Sequence, residues 1–178
     1  MHGIILTELQ KYVEKRRGAE TWTEVRAAAG LSDRVYTPVG VYPDDDVVAL
    51  IGATAASTQS PVDDVLQDFG EFIVPDLVEI YGSLIDPDWG PLDLLQHTEE
   101  TVHTMVRVRD PGSEPPYLEA ERTAPDEVVI TYRSPRRMCG VAKGIVRGVA
   151  AHYGQPLSIS EEMCMLDGAD RCVIVVQA

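Results

Sequence analysis

The chain has 178 residues, 44% of them hydrophobic and 25% charged, a balance that suits one globular domain with a real core. Its net charge of −14, from 15 Lys and Arg against 29 Asp and Glu, argues against nucleic acid or an anionic membrane as partner. No apolar run reaches the ~18 residues of a membrane span, and the first stretch lacks the order of a signal peptide, so the chain is expected in the cytoplasm.

In chain order, residues 2–16 are predicted as a helix, with Ile4, Ile5, Leu9 and Val13 at helical spacing and Gly18 as its stop. Residues 20–30 make a second helix closed by Gly30, and 31–43 are loop, with Pro38, Gly40 and Pro43. Three Asp residues open a helix over 44–57, where acidic side chains suit the N-terminal dipole. Ser60 is expected to cap the next helix, with Pro61 in its first turn and Pro75 kinking or splitting it. A further helix covers roughly 91–107. The period then changes: "YLEAERTA" and "EVVITYRS" alternate across "PD" as an antiparallel hairpin. A helix over 136–154 and two strands, "LSISEEMCML" and "RCVIVVQ", complete the chain. The order is α+β: a helical N-terminal part, about 1–110, packed on a C-terminal β-β-α-β-β part, about 113–178, with a four-stranded antiparallel sheet.

Three patterns carry chemistry. Gly140, Gly144 and Gly148 stand four apart on the 136–154 helix and form one stripe. Each costs about 1 kcal/mol against Ala, so something comes close there: another element of the fold, or a flat ligand. His103 lies at the edge of an apolar stripe with Leu92, Leu95, Val102 and Val106, while His97 points roughly 120° away. A buried imidazole needs a partner, either Glu99 one turn back or the iron of a haem. On an extended chain Tyr132, Ser134 and Arg136 share a side. Such a row either clamps the propionates of a haem or is an ordinary strand edge.

Together these residues resemble the H-NOX family, the haem nitric oxide/oxygen binding domains related to the sensor domain of soluble guanylate cyclase. The resemblance spans the whole chain: the opening "MHGIILTEL", the His103 helix, "PPYL" at 115–118, the Tyr-x-Ser-x-Arg pattern at 132–136, and the four-strand, one-helix tail. It implies a ferrous haem b between the two parts, ligated by His103, with propionates held by Tyr132, Ser134 and Arg136 and with Pro116 pressing on the macrocycle. It implies haem contacts from Ile5, Leu9, Ile73, Val141, Gly144 and Ile145, and gives the glycine stripe a flat neighbour.

Family members that hold oxygen carry a tyrosine nine residues beyond the signature tyrosine, and here that position is Val141. The resemblance thus implies a sensor that takes NO and CO and excludes oxygen, with Tyr81 and Tyr153 as the residues that could supply a missing donor. It implies signalling in trans to a separate effector such as a histidine kinase or diguanylate cyclase. No catalytic motif stands out, and the chain is not expected to be an enzyme.

Three cysteines, Cys139, Cys164 and Cys172, are too few for a disulfide framework. They are zinc ligands, buried hydrophobic residues, or redox-sensitive thiols. Some members of the resembled family hold zinc with Cys, His, Cys and Cys, and Glu161 stands where that His would be. The rival to a haem sensor is a haem-independent interaction module that senses zinc or oxidants through this cluster.

Overall fold

The computed structural model describes residues 1–178. Six helices precede the first strand: α1 (Gly3–Arg17), α2 (Ala19–Ala28), α3 (Asp44–Thr58), α4 (Val62–Tyr81), α5 (Pro91–Thr98) and α6 (Thr104–Arg109). Then come β1 (Tyr117–Ala124), β2 (Glu127–Arg133), α7 (Cys139–Tyr153), β3 (Ser158–Met163) and β4 (Cys172–Gln177). The strands form one antiparallel sheet in the order β1-β2-β4-β3. The fold class is α+β, as the change of period implies. No helix is long and apolar enough to cross a membrane.

The alternation in β2 and β4 sets the buried face of the sheet. Val128, Ile130 and Tyr132 stand opposite Val176, Ile174 and Cys172, and all six are buried. One core lies among α1 to α4 around Leu6, Leu50 and Phe69; a second lies between the sheet and α7 around Val149 and Ile174.

Helices α4 and α7 join the two cores, and the glycine stripe is their seam. A Cβ on Gly140 would meet Leu66 Cβ at 2.8 Å, and one on Gly144 would meet the Gln67 carbonyl at 2.1 Å. One on Gly148 would meet Val74 and the Glu71 carbonyl. From the other side, Gly70 faces the Val141 carbonyl and the Gly144 Cα. The stripe therefore packs helix on helix. It is not a platform for a flat ligand, and Gly144 faces α4.

Four local expectations change. Pro75 neither splits nor ends α4; its ring removes a donor from the Glu71 carbonyl, which lies against Gly148. Pro61, not Ser60, holds the cap position of α4, and the Ser60 hydroxyl bonds the Thr58 carbonyl instead. The 91–107 helix is interrupted at Glu99–His103 by a wider, π-type turn. Strand β2 stops at Arg133, so Ser134 and Arg136 lie in a turn and not on an extended row. The opening Met-x-Gly has a steric cause: a Cβ on Gly3 would sit 1.9 Å from the Thr37 carbonyl of the following loop.

Candidate functional site

Between the helical part and the sheet lies a cavity with about 210 Å³ open to the centres of water molecules. A single water needs ~10–15 Å³ on that measure, so the space suits a much larger occupant. Of its 25 lining residues 17 are hydrophobic, so that occupant is mainly apolar. From α1, α4 and α7 come Ile4, Ile5, Ile73, Leu77, Tyr81, Val141, Ala142, Ile145 and Val146. Among these only Tyr81 carries a hydrogen-bonding side chain, and its hydroxyl lies in the field of Asp110 and Arg109. Tyr153 does not line the cavity. Leu9 does not either; it is fully buried in the N-terminal core with Leu6 and Val13.

His103 forms part of the wall with Leu95, Val102 and Val106. Three members of the apolar stripe read from the sequence thus face the cavity, and the fourth, Leu92, is buried in the second core. The imidazole Nδ1 lies 2.8 Å from Glu99 Oε2, and Nε2 has no hydrogen-bond partner in the protein. Glu99 Oε1 accepts from Arg107 Nη2 at 2.6 Å. Burial raises the Glu99 carboxyl, but the bonds from His103 and Arg107 outweigh it and hold the group below its usual range. Glu99 and a cavity ligand are therefore not rivals for His103, because each has its own ring nitrogen.

The polar end is built by the turn after β2. Tyr132 is 4% exposed, and burial pushes its phenol up to about 12 although the Ser134 hydroxyl and the Met138 backbone bond it. Ser134 Oγ accepts from the Arg136 amide at 3.3 Å; Ser134 is buried but does not line the cavity. Arg136 does line it, with its guanidinium nearly covered. Arg136 Nη1 donates to Asp44 Oδ2 at 3.0 Å and Nη2 to the Glu114 carbonyl at 2.7 Å. The Met1 ammonium binds the other Asp44 oxygen at 2.8 Å. Arg136 and the Met1 ammonium thus share one carboxylate at this end of the cavity. Nearby, the lining residue Ser113 has a buried hydroxyl with no partner. Pro115 and Pro116 complete this side of the wall.

The sequence pattern singles out His103, Tyr132, Ser134, Arg136 and Pro116; four of them stand in one cavity wall, and Ser134 lies buried behind it. Asp44 and Ser113 went unnoticed. The three aspartates read only as helix-start residues, and an isolated serine in a loop carries no pattern.

Beyond the sheet face, Cys139, Glu161, Cys164 and Cys172 bring one ligand atom each within 4.8 Å of the others. Cys164 Sγ lies 3.8 Å from Cys139 Sγ and 3.9 Å from Cys172 Sγ. Tetrahedral zinc with Zn–S bonds of ~2.3 Å sets sulfurs about 3.8 Å apart, so the thiol spacing fits that ion. Burial and the neighbouring thiols push Cys139 up, which disfavours a bare thiolate there. Glu161 Oε2 lies 3.3 Å from Lys143 Nζ.

The model of the family described as Haem-NO-binding matches residues 2–161. The structure superposes on the H-NOX protein from S. oneidensis in the Fe(II)NO ligation state with a TM-score of 0.92 and 26% identity, covering 99% of this chain and 98% of that one. The NMR structure of the H-NOX domain from Shewanella oneidensis in the Fe(II)CO ligation state gives a TM-score of 0.88 at 26% identity, covering 99% and 98%. Soluble guanylate cyclase 89Db of Drosophila melanogaster is 25% identical over 169 residues, 94% of this chain, and the chain spans about a quarter (24%) of that relative's length. The chain belongs to the Haem-NO-binding family, the H-NOX fold of haem-based gas sensors.

Proposed function

We propose that this chain is a non-catalytic sensor domain that binds ferrous haem b, takes nitric oxide and carbon monoxide, excludes dioxygen, and signals in trans to a separate effector protein such as a histidine kinase or diguanylate cyclase in the cytoplasm. The supporting observation is His103: its ring lies in the cavity wall with Nδ1 engaged by Glu99 and Nε2 free to ligate. The residues present fit haem. The cavity is mostly apolar, Ser113 offers a buried hydroxyl without a partner, and Arg136 offers charge at the polar end.

Bound there, haem would supply an iron atom able to take a diatomic gas. His103 would hold that iron, and Tyr132 and Arg136 would hold the propionates, with Ser134 buried behind them. The Ser134 hydroxyl bonds Tyr132 and its oxygen accepts from the Arg136 amide, so Ser134 would hold those two residues in place. Pro116, also in the wall, would meet the macrocycle. Ile5, Ile73, Val141 and Ile145 supply no donor, which leaves Tyr81 as the one hydroxyl these helices bring to the wall; bound dioxygen, which draws negative charge, would need a donor at the gas itself.

The movable part is the His103 segment. Neither the π-type turn nor α6 contributes a buried residue, whereas α4 and α7 are locked at their glycine seam. A change in what His103 grips is transmitted to this loosely packed segment, and its displacement alters the surface an effector reads. The test is the absorption spectrum of the reduced protein with NO, CO and air in turn, beside a His103→Ala control. NO and CO shift the Soret band and air does not; a ferrous spectrum unchanged by NO refutes the proposal.

We infer also that the cysteine cluster holds zinc, with Cys139, Cys164 and Cys172 as thiolate ligands and Glu161 as the fourth. The sulfur spacing supports this. A colourless protein that binds zinc would favour a haem-independent sensor instead.

A further inference from the structure

Glu99 stands one turn before His103, and both of its oxygens are engaged, one by the imidazole Nδ1 at 2.8 Å and the other by Arg107 at 2.6 Å. The three residues lie on one face of the segment that the π-type turn interrupts. Such turns concentrate at functional positions. The carboxylate is about a quarter exposed, 28%, so water screens it only in part.

A carboxylate on Nδ1 does two things to an imidazole. It fixes the tautomer, keeping the proton on Nδ1 and the lone pair on Nε2. It also raises the electron density that Nε2 offers a metal. Arg107 acts the other way, because its guanidinium draws off part of the carboxylate charge. We propose that Glu99 and Arg107 set, from opposite directions, how tightly His103 grips a haem iron, and so how readily that grip is released when nitric oxide binds. The inference rests on the haem reading above. Glu99 is a positioning residue here: it acts through His103.

The experiment uses the full chain loaded with ferrous haem. Resonance Raman reads the iron–histidine stretch of the unliganded protein. Absorption spectra read the share of the nitric oxide complex in which His103 is released. Glu99→Gln and Glu99→Leu lower the stretch and raise the ratio of released to retained His103 by roughly tenfold, the lower end of what such outer partners contribute to a metal site. Arg107→Leu moves both readouts the other way and leaves the carboxylate in place should the Glu99 variants fold poorly. An unmoved stretch in Glu99→Gln, or Glu99→Gln and Arg107→Leu moving together, overturns the inference. His103→Gly with added imidazole separates the two claims. If that variant keeps the parent spectrum without imidazole, the haem reading itself fails. If it needs imidazole to recover the spectrum while Glu99→Gln is silent, only the role of Glu99 fails.

Discussion

Gly144→Ala pits two effects of opposite sign against each other. Helix propensity alone favours the substitution by about 1 kcal/mol, since Gly is the poorer residue in a helix interior. Packing opposes it. The new Cβ would lie 2.1 Å from the Gln67 carbonyl oxygen and 2.9 Å from both the Gln67 carbonyl carbon and the Glu71 nitrogen. All three atoms are backbone, so no side chain can swing aside. Restoring ordinary contact at 3.4 Å requires α4 and α7 to part by about 1.3 Å at this point. Overpacking of that kind costs ~1–3 kcal/mol and sometimes more, and taking its upper end against the propensity gain gives a net loss of about 2 kcal/mol. At ~2–4 °C per kcal/mol for a chain of this size, Tm falls by roughly 4–8 °C. Thermal unfolding followed by circular dichroism, with and without haem, measures it. The drop is the same in both forms, because the stripe serves helix packing. An unchanged or raised Tm would refute the steric reasoning. A loss confined to the haem-loaded form would return the stripe to a flat ligand.

Three further outcomes are expected. Val141→Tyr places a hydroxyl on the cavity wall that α7 contributes, and the reduced variant then shows a lasting spectral change in air while Tyr81→Phe shows none; equal behaviour of the two in air refutes exclusion by missing donors. Burial raises the Asp44 carboxyl, but bonds from the Met1 ammonium and Arg136 outweigh it, so its folded value lies below the ordinary 3.8. Its contribution is therefore complete above that ordinary value and lost as pH falls through the lower folded one, and the Tm of Asp44→Asn declines less steeply than the parent's below about pH 4. With zinc present the parent chain binds one ion and its thiols react slowly with a disulfide reagent, whereas Cys164→Ser binds none at matched concentration; thiol reactivity indifferent to zinc in the parent rules out the site.

Legibility in the sequence tracked the range of the interactions. Gly18, Gly30 and Gly154 mark helix ends by local backbone preference, and the hairpin at 117–133 shows in its alternation. His103 shows because the apolar residues on its helix share one side. The glycine stripe was visible as a stripe, but its neighbour was not, since periodicity describes one face of a helix and never what lies against it. Ser134 and Arg136 looked like a continuation of β2, and the turn at Pro135 that ends the strand reads in one dimension as alternation. Asp44 was out of reach for a simpler reason: its bond to Arg136 joins positions 92 apart.

Tyr132 and Cys172 occupy one rung of the β2–β4 ladder. Residues so placed sit ~5 Å apart on the same face of a sheet. The phenol at the cavity's polar end and a sulfur of the thiol cluster are thus next-door neighbours, although half the C-terminal part of the chain separates them in sequence. A displacement of β4 at Cys172 is thus handed by the ladder hydrogen bonds to the strand that carries the phenol, so the thiol cluster and the cavity's polar end share one piece of backbone.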